Sequence, residues 1–260
     1  MSANLHIETI GTGQPLVLLH GWGMHSAVWQ PLVKKLSKLF TLHMVDLPGM
    51  GFSRTLEPYY LHTAAEKIAE VIPPNTDMIG WSLGGQVAMR IALDYPDLVR
   101  RLVLVGSTPC FVNKSGWDAG MAPELFGNFA DNVDDDYHKT MTQFLTLQCM
   151  GAKDSRDVVK LLRKKFAERP VPTTQTLQKA LQILLETDLR EEIAYLRKPT
   201  LLIHGDRDTL APVQAAHWMM QNLPVGFLRV MAGASHAPFL SHQEAFIEAV
   251  VQFLEPVQAS

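Results

Sequence analysis

The feature that most constrains the fold of this chain is its rhythm. Short apolar runs alternate with stretches of helical periodicity, and the alternation breaks once. Residues 16–19 (Leu-Val-Leu-Leu), 42–45, 78–79, 102–105, 200–203 and 227–230 read as strands. The first is apolar throughout, as in a strand buried on both faces. An alternating segment at 5–10, closed by Gly11-Thr12-Gly13, reads as one more. Between them, Trp29, Leu32, Val33, Leu36 and Leu39 recur at helical spacing behind Ser26 as the expected cap. Further helices are expected at 63–71, 84–93, 213–222 and 243–254. Such alternation folds as a mostly parallel sheet with helices on both faces.

The break runs from about 111 to 187, where helical periodicity continues without a convincing strand. Helices are expected at 123–130, 135–148, 155–167 and 174–185. An all-helical insertion with short linkers, between strands of one sheet, reads as a lid. The expected organisation is therefore a core from 1–110 and 188–260, with a helical cap at 111–187. A length of 260 residues suits one large domain carrying one insertion.

Within this frame, Gly80-Trp81-Ser82-Leu83-Gly84 matches G-x-S-x-G. Three fixed letters are weak alone: about one chain in ten of this length would match by chance. Here the match sits between an apolar strand and a helix, the setting in which a serine is held on a sharp turn with its hydroxyl projecting above the sheet. Ser82 is the expected nucleophile. His20-Gly21-Trp22-Gly23 follows the buried strand at 16–19, so the Trp22 N–H is an expected oxyanion donor, with the Leu83 N–H as the second. Gly205-Asp206-Arg207-Asp208 follows the strand at 200–203. Asp206 and Asp208 compete as the orienting acid; Asp208 is preferred because its loop runs on through Thr209-Leu210-Ala211-Pro212 into a helix. Of ten histidines, His236 stands out. It lies late in the chain, after a small-residue loop behind the last strand, and completes the order Ser, Asp, His. His20 reads as structural or as a support behind the reacting groups, and His25, His43 and His204 as surface or strand-end residues. Together these motifs imply the α/β-hydrolase fold and a serine esterase with a Ser82–His236–Asp208 triad, needing no metal and no cofactor.

Composition narrows the rest. Hydrophobic residues at 47% and charged residues at 19% argue against disorder. A formal net charge of −3 gives no global attraction for nucleic acid. No apolar run approaches membrane-spanning length, and residues 1–10 lack a basic start and an apolar stretch, so a cytoplasmic monomer is expected. Cys110 and Cys149 lack metal-ligand spacing and read as reduced thiols. Charge in the insertion is segregated. Residues 118–136 hold six acids and no Lys or Arg, whereas 153–169 hold seven bases and three acids. Arg156, Lys160, Arg163 and Lys164 share one helix face, which reads either as a solvated surface or as a landing strip for an acidic partner or phosphate.

A closer likeness rests on Leu18-Leu19-His20-Gly21-Trp22-Gly23, Val45-Asp46-Leu47-Pro48-Gly49, the segment Gly80 to Gly84, Ser107-Thr108-Pro109-Cys110-Phe111, Phe144-Leu145-Thr146-Leu147-Gln148, Thr187-Asp188-Leu189-Arg190 and Ser235-His236-Ala237-Pro238-Phe239. In this order they resemble the pimeloyl-[acyl-carrier protein] methyl ester esterases of biotin synthesis, nearly end to end. The resemblance implies removal of the methyl group that masks the distal carboxylate of a pimeloyl chain carried by the phosphopantetheine arm of acyl carrier protein. It implies an acyl channel formed by Phe144, Leu145, Thr146, Leu147 and Gln148 beside Trp22, Ser82, Leu83 and His236. It also implies carrier docking by cap residues. Four arginines of the family match Lys139, Gln143, Arg156 and Lys160 here, so one charge is lost and two forks become point charges. Two rivals stay open: a broad short-chain carboxylesterase on the same triad, and a ligand receptor on the same fold.

Overall fold

A computed structural model describes residues 4–122, 124, 137–149 and 155–255. Among the described residues, seven strands form one sheet: β1 (Ile7–Ile10), β2 (Gln14–Leu19), β3 (Phe40–Val45), β4 (Thr76–Trp81), β5 (Val99–Val105), β6 (Thr200–Gly205) and β7 (Gly226–Met231), in the order β1-β3-β2-β4-β5-β6-β7. Only β1 runs antiparallel to its neighbour; the other pairings are parallel. The expected mostly parallel sheet is thus present. Each strand meets its expected segment within a few residues, and the stub at 78–79 extends to six buried residues.

The apolar runs are explained by burial on two sides. Val17, Leu19, Met78, Leu102 and Leu104 enter one core cluster, while Leu16, Leu18, Ile79, Val103 and Val105 enter the other. Alternate side chains of a strand face opposite ways, so a sheet covered on both faces needs apolar residues at every position. Helices α1 (Gln30–Leu36), α2 (Leu61–Ala69) and α3 (Leu83–Asp94) complete the first half. Ser26 does not cap a helix. It begins a 3-10 turn (Ser26–Trp29) that leads into α1, and its N–H donates to Asp46 Oδ1 at 2.7 Å.

Between β5 and β6 lie α4 (Tyr137–Leu147), α5 (Ser155–Phe166) and α6 (Thr174–Glu186), close to three of the expected spans. The helix expected at 123–130 falls outside the described residues, apart from Glu124. The approach to these helices is not wholly helical: Val112 bridges Met121 and Lys114 bridges Trp117, around a turn in which Gly116 has φ 68°. The cause is Trp117, buried with its indole N–H donated to the Cys110 carbonyl at 2.9 Å. Helix α4 feeds both core clusters, with Phe144 in one and Leu145 in the other. Helices α7 (Val213–Asn222), α8 (Pro238–Ser241) and α9 (Gln243–Leu254) close the chain. Cys110 and Cys149 are free and buried, and burial pushes the Cys149 thiol up to about 12. Among the described residues no helix is long and apolar enough to cross a membrane.

One charge sits inside the sheet. Asp77 of β4 is fully buried and receives the Arg100 guanidinium of β5 on both oxygens, Nε reaching Oδ1 at 2.9 Å. Removing one partner strands the other in a low dielectric. Arg100→Met is expected to cost about 3 kcal/mol in urea unfolding, and adding Asp77→Asn to recover part of that loss. Equal stability of Arg100→Met and the parent chain would mean that the pair contributes nothing.

Candidate active site

Loops leaving the carboxyl ends of β2, β4, β6 and β7 converge above the sheet. β2 leads to β3 on one side, whereas β4 continues the sheet on the other, so the crevice opens where the strand order reverses. Ser82 sits there, between β4 and α3, at φ 56° and ψ −119°. A non-glycine residue in this region stores about 1–3 kcal/mol of strain, held here by packing that explains the flanking glycines. A Cβ on Gly80 would lie 2.5 Å from the Gly84 carbonyl oxygen, and one on Gly84 would lie 2.4 Å from that of Leu19. Helix α3 therefore starts hard against β2 and β4, and the Ser82 N–H donates to the Val105 carbonyl at 3.0 Å.

The structure brings His236 and Asp208 together. Nδ1 of His236 and Oδ2 of Asp208 are 2.8 Å apart, both side chains fully buried. The other carboxylate oxygen accepts the Leu210 and Ala211 N–H groups at 2.9 and 3.0 Å, so the loop into α7 fixes the acid from behind. Asp206 turns away, and its Oδ1 accepts the Gly233 N–H at 2.7 Å. The His236 backbone is anchored at both ends of its peptide geometry: its N–H donates to the Gln148 carbonyl at 3.0 Å, and its own carbonyl accepts the Trp81 indole at 2.8 Å. Its Nε2 is buried without a hydrogen bond among the described residues, to Ser82 or any other group. It is the one ring nitrogen of this pair left to exchange a proton.

The His20–Gly23 loop passes directly beside Ser82, because a Cβ on Gly21 would lie 3.2 Å from the serine Cβ. Trp22 is fully buried, donates its indole N–H to Leu177 of α6 at 2.9 Å, and meets the Phe144 ring edge-on at 4.6 Å. Leu83 is the first residue of α3, where an N–H has no intrahelical acceptor. Both expected oxyanion donors thus flank the serine. His20 is structural, as expected. Its Nε2 accepts the Leu47 N–H at 2.9 Å, and Nδ1 lies 2.8 Å from the Gly21 carbonyl. Burial drives its pKa down to about 4, keeping the ring neutral.

The segment 144–148 divides. Phe144 meets Trp22 through its ring, and Gln148, one turn on, meets His236 through its backbone carbonyl. Both polar atoms of the Gln148 amide are buried with no partner among the described residues. Leu145 instead packs in the opposite core cluster, Leu147 is half-buried, and Thr146 is exposed with its hydroxyl on the Thr142 carbonyl. Helical geometry cannot point five successive residues at one channel. Arg156 and Lys160 are exposed on α5; Lys139 lies in α4 and its side chain is outside the described residues. One histidine corrects the sequence reading: His25 is buried beneath α5. His204 stands at the end of β6, as read, and is buried there.

Residues 14–243 match the family described as alpha/beta hydrolase fold. A protein of Nitrosomonas europaea named pimeloyl-[acyl-carrier protein] methyl ester esterase is 47% identical over 245 residues, covering 94% of this chain and 97% of that protein. One of Nitrosospira multiformis with the same name is 41% identical over 257 residues, covering 96% and 98%. Among solved structures, an esterase from Exiguobacterium antarcticum superposes with a TM-score of 0.89 at 24% identity over 96% of this chain and 95% of that one. At that identity the likeness speaks for the fold.

The geometry separates the two candidate acids. Asp208→Asn is expected to lower kcat for ester hydrolysis by about three to four orders of magnitude, because the amide would favour the wrong imidazole tautomer. Asp206→Asn should stay within about threefold of the parent. Steady-state rates of the two variants check this, and equal losses would remove Asp208 from the role.

Proposed function

The chain belongs to the alpha/beta hydrolase family and, within it, to the pimeloyl-[acyl-carrier protein] methyl ester esterases, and from that premise we propose how its residues divide the work of freeing the distal carboxylate of a carrier-bound pimeloyl chain. The observation that carries the reading is the His236–Asp208 pair, buried at 2.8 Å with Nε2 unbonded and the imidazole 5.8 Å from the ring of Trp81, the residue before a strained serine.

Ser82 Oγ attacks the carbonyl carbon of the methyl ester as its proton passes to His236 Nε2. The C=O electron pair moves onto oxygen, and the Trp22 and Leu83 N–H groups receive the oxyanion. Asp208 stabilises the imidazolium and holds its tautomer. As the tetrahedral intermediate collapses, His236 returns the proton to departing methanol. Water, deprotonated by the same imidazole, then attacks the acyl-Ser82 ester and liberates the carboxylate. Phe144 and Trp22 supply an apolar wall for the acyl chain, and the unbonded Gln148 amide a polar contact at its esterified end.

Residues 111–187 act in this reading as a cap that carries the carrier site. Arg156, Lys160, Arg163 and Lys164 are exposed and make no ion pair among the described residues, whereas Lys165 is tied to Glu168 at 3.0 Å. Free cations on one face suit an acidic carrier and its phosphate, with Lys139 as an additional contact.

The test of the reaction is direct. Incubation with methyl pimeloyl-acyl carrier protein should remove one methyl group by mass spectrometry, and Ser82→Ala should not. Activity of Ser82→Ala within tenfold of the parent would overturn the nucleophile.

The docking face has its own test. Arg156→Glu with Lys160→Glu should lower kcat/KM for the carrier-bound ester by about tenfold or more at low ionic strength, with the loss shrinking as salt is added. Hydrolysis of a small neutral p-nitrophenyl ester should be unchanged. Parallel loss on both substrates, or none on either, would remove the face from recognition.

A further inference from the structure

A cation buried far from Ser82 reaches the site through a continuous hydrogen-bonded route. Arg169 follows α5 in the inserted segment, and its side chain is only 5% exposed. Its guanidinium donates to the Asp46 carboxylate, to Glu8 and, at 2.9 Å, to the Ser26 hydroxyl, and lies 5.0 Å over the Phe52 ring. Asp46, at the end of β3, is fully buried. Its two oxygens also accept the Ser26 N–H at 2.7 Å and the Phe52 N–H at 2.9 Å. One carboxylate therefore joins three loops, and Arg169 supplies the countercharge. Burial works against its ionisation, but the Phe52 and Ser26 amides and Arg169 together hold its pKa below the usual range.

From Asp46 the route runs through two fixed peptide planes. The carbonyl of the Asp46–Leu47 peptide accepts the Ser53 hydroxyl at 2.7 Å, and its N–H, on Leu47, donates to His20 Nε2 at 2.9 Å. With Nε2 an acceptor, the proton of the neutral ring sits on Nδ1 and is donated to the Gly21 carbonyl at 2.8 Å. That carbonyl belongs to the same planar trans unit as the Trp22 N–H, so fixing one end fixes where the other points.

We infer that Arg169 is a positioning residue for ester hydrolysis: through Asp46, Leu47 and His20 it sets the direction of the Trp22 N–H, so that the seating of the inserted helices and the shape of the oxyanion hole are one structural state. The inference rests on the oxyanion role of Trp22 under Proposed function. Without Arg169, Asp46 is a buried carboxylate lacking its cation, and the loops at 24–29 and 46–54 lose their shared anchor.

The test uses the full chain, with Arg169→Ala and Arg169→Lys against the parent and a small neutral p-nitrophenyl ester as substrate. Loss of one oxyanion donor costs about 10²–10³ in kcat. Misdirecting one should cost Arg169→Ala about tenfold to a hundredfold, with KM within about twofold. Affinity for a trifluoromethyl ketone, which adds to Ser82 as a tetrahedral oxyanion, should fall in parallel. Guanidinium chloride, kept well below unfolding concentrations, should restore part of the rate. Arg169→Lys should lie between the two. A lowered melting temperature with unchanged kcat and ketone affinity would overturn the inference, as would a change confined to KM. If Arg169→Ala does not fold, Arg169→Lys decides: unchanged kcat and ketone affinity overturn the inference, and parallel losses support it. Failure of the oxyanion reading itself is distinguishable. In that case the parent enzyme binds the ketone no better than the matching methyl ketone, whatever residue 169 is.

Discussion

The arrangement of this site depends on how closely α3 approaches β2 and β4. Gly80 and Gly84 permit backbone contacts that a methyl group would forbid at 2.5 and 2.4 Å. Because the helix begins so near the sheet, Ser82 is held at positive φ at the top of the turn, directly before the first N–H of α3. Gly21 extends the contact to the next loop. The proposed nucleophile and oxyanion donors thus inherit their positions from backbone packing, which costs no side-chain entropy to maintain. The proposed acid and base need only reach this point from β6 and β7, which run parallel to β4 and end on the same side.

How much of this was legible in the chain follows from the range of the forces involved. The strands were legible because burial on both faces demands apolar residues at each position, as at Leu16, Val17, Leu18 and Leu19. The elbow was legible because its glycines answer a local steric need. The preference for Asp208 over Asp206 drew on the loop that follows, and the Leu210 and Ala211 amides on Asp208 supply the physical reason. Long-range partnerships were not legible. Nothing near Ser26 announces that its N–H serves Asp46, twenty residues on, in place of a helix cap. Nothing near Arg169 points to Glu8 or Asp46. His25 reads as peripheral in the sequence because the neighbours that bury it are distant along the chain. The run 144–148 looked like one lining segment because a string of letters does not display the hundred degrees by which each helical residue turns from the last.

The buried charges follow one rule. Asp46, Asp77 and Asp208 lie at or near strand ends; Asp46 and Asp208 are each met by donors from several residues, and Asp77 by two nitrogens of Arg100. A buried carboxylate with spare lone pairs would be costly, and distributing N–H groups around it lowers that cost while tying elements together. In Asp77 the tie joins neighbouring strands, in Asp46 two loops and the inserted segment, and in Asp208 His236 and the turn into α7. Stability and positioning are thus achieved by the same bonds.

Helix α4 has a consequence for how molecules enter. Its successive residues Phe144 and Leu145 are keyed into cores on opposite faces of the sheet, and Trp22 is pinned to α6 by its indole. A segment rooted in two interiors does not swing like a door, since lifting it would tear apolar contacts from both at once. Entry that depended on lifting α4 would therefore have to disrupt both interiors.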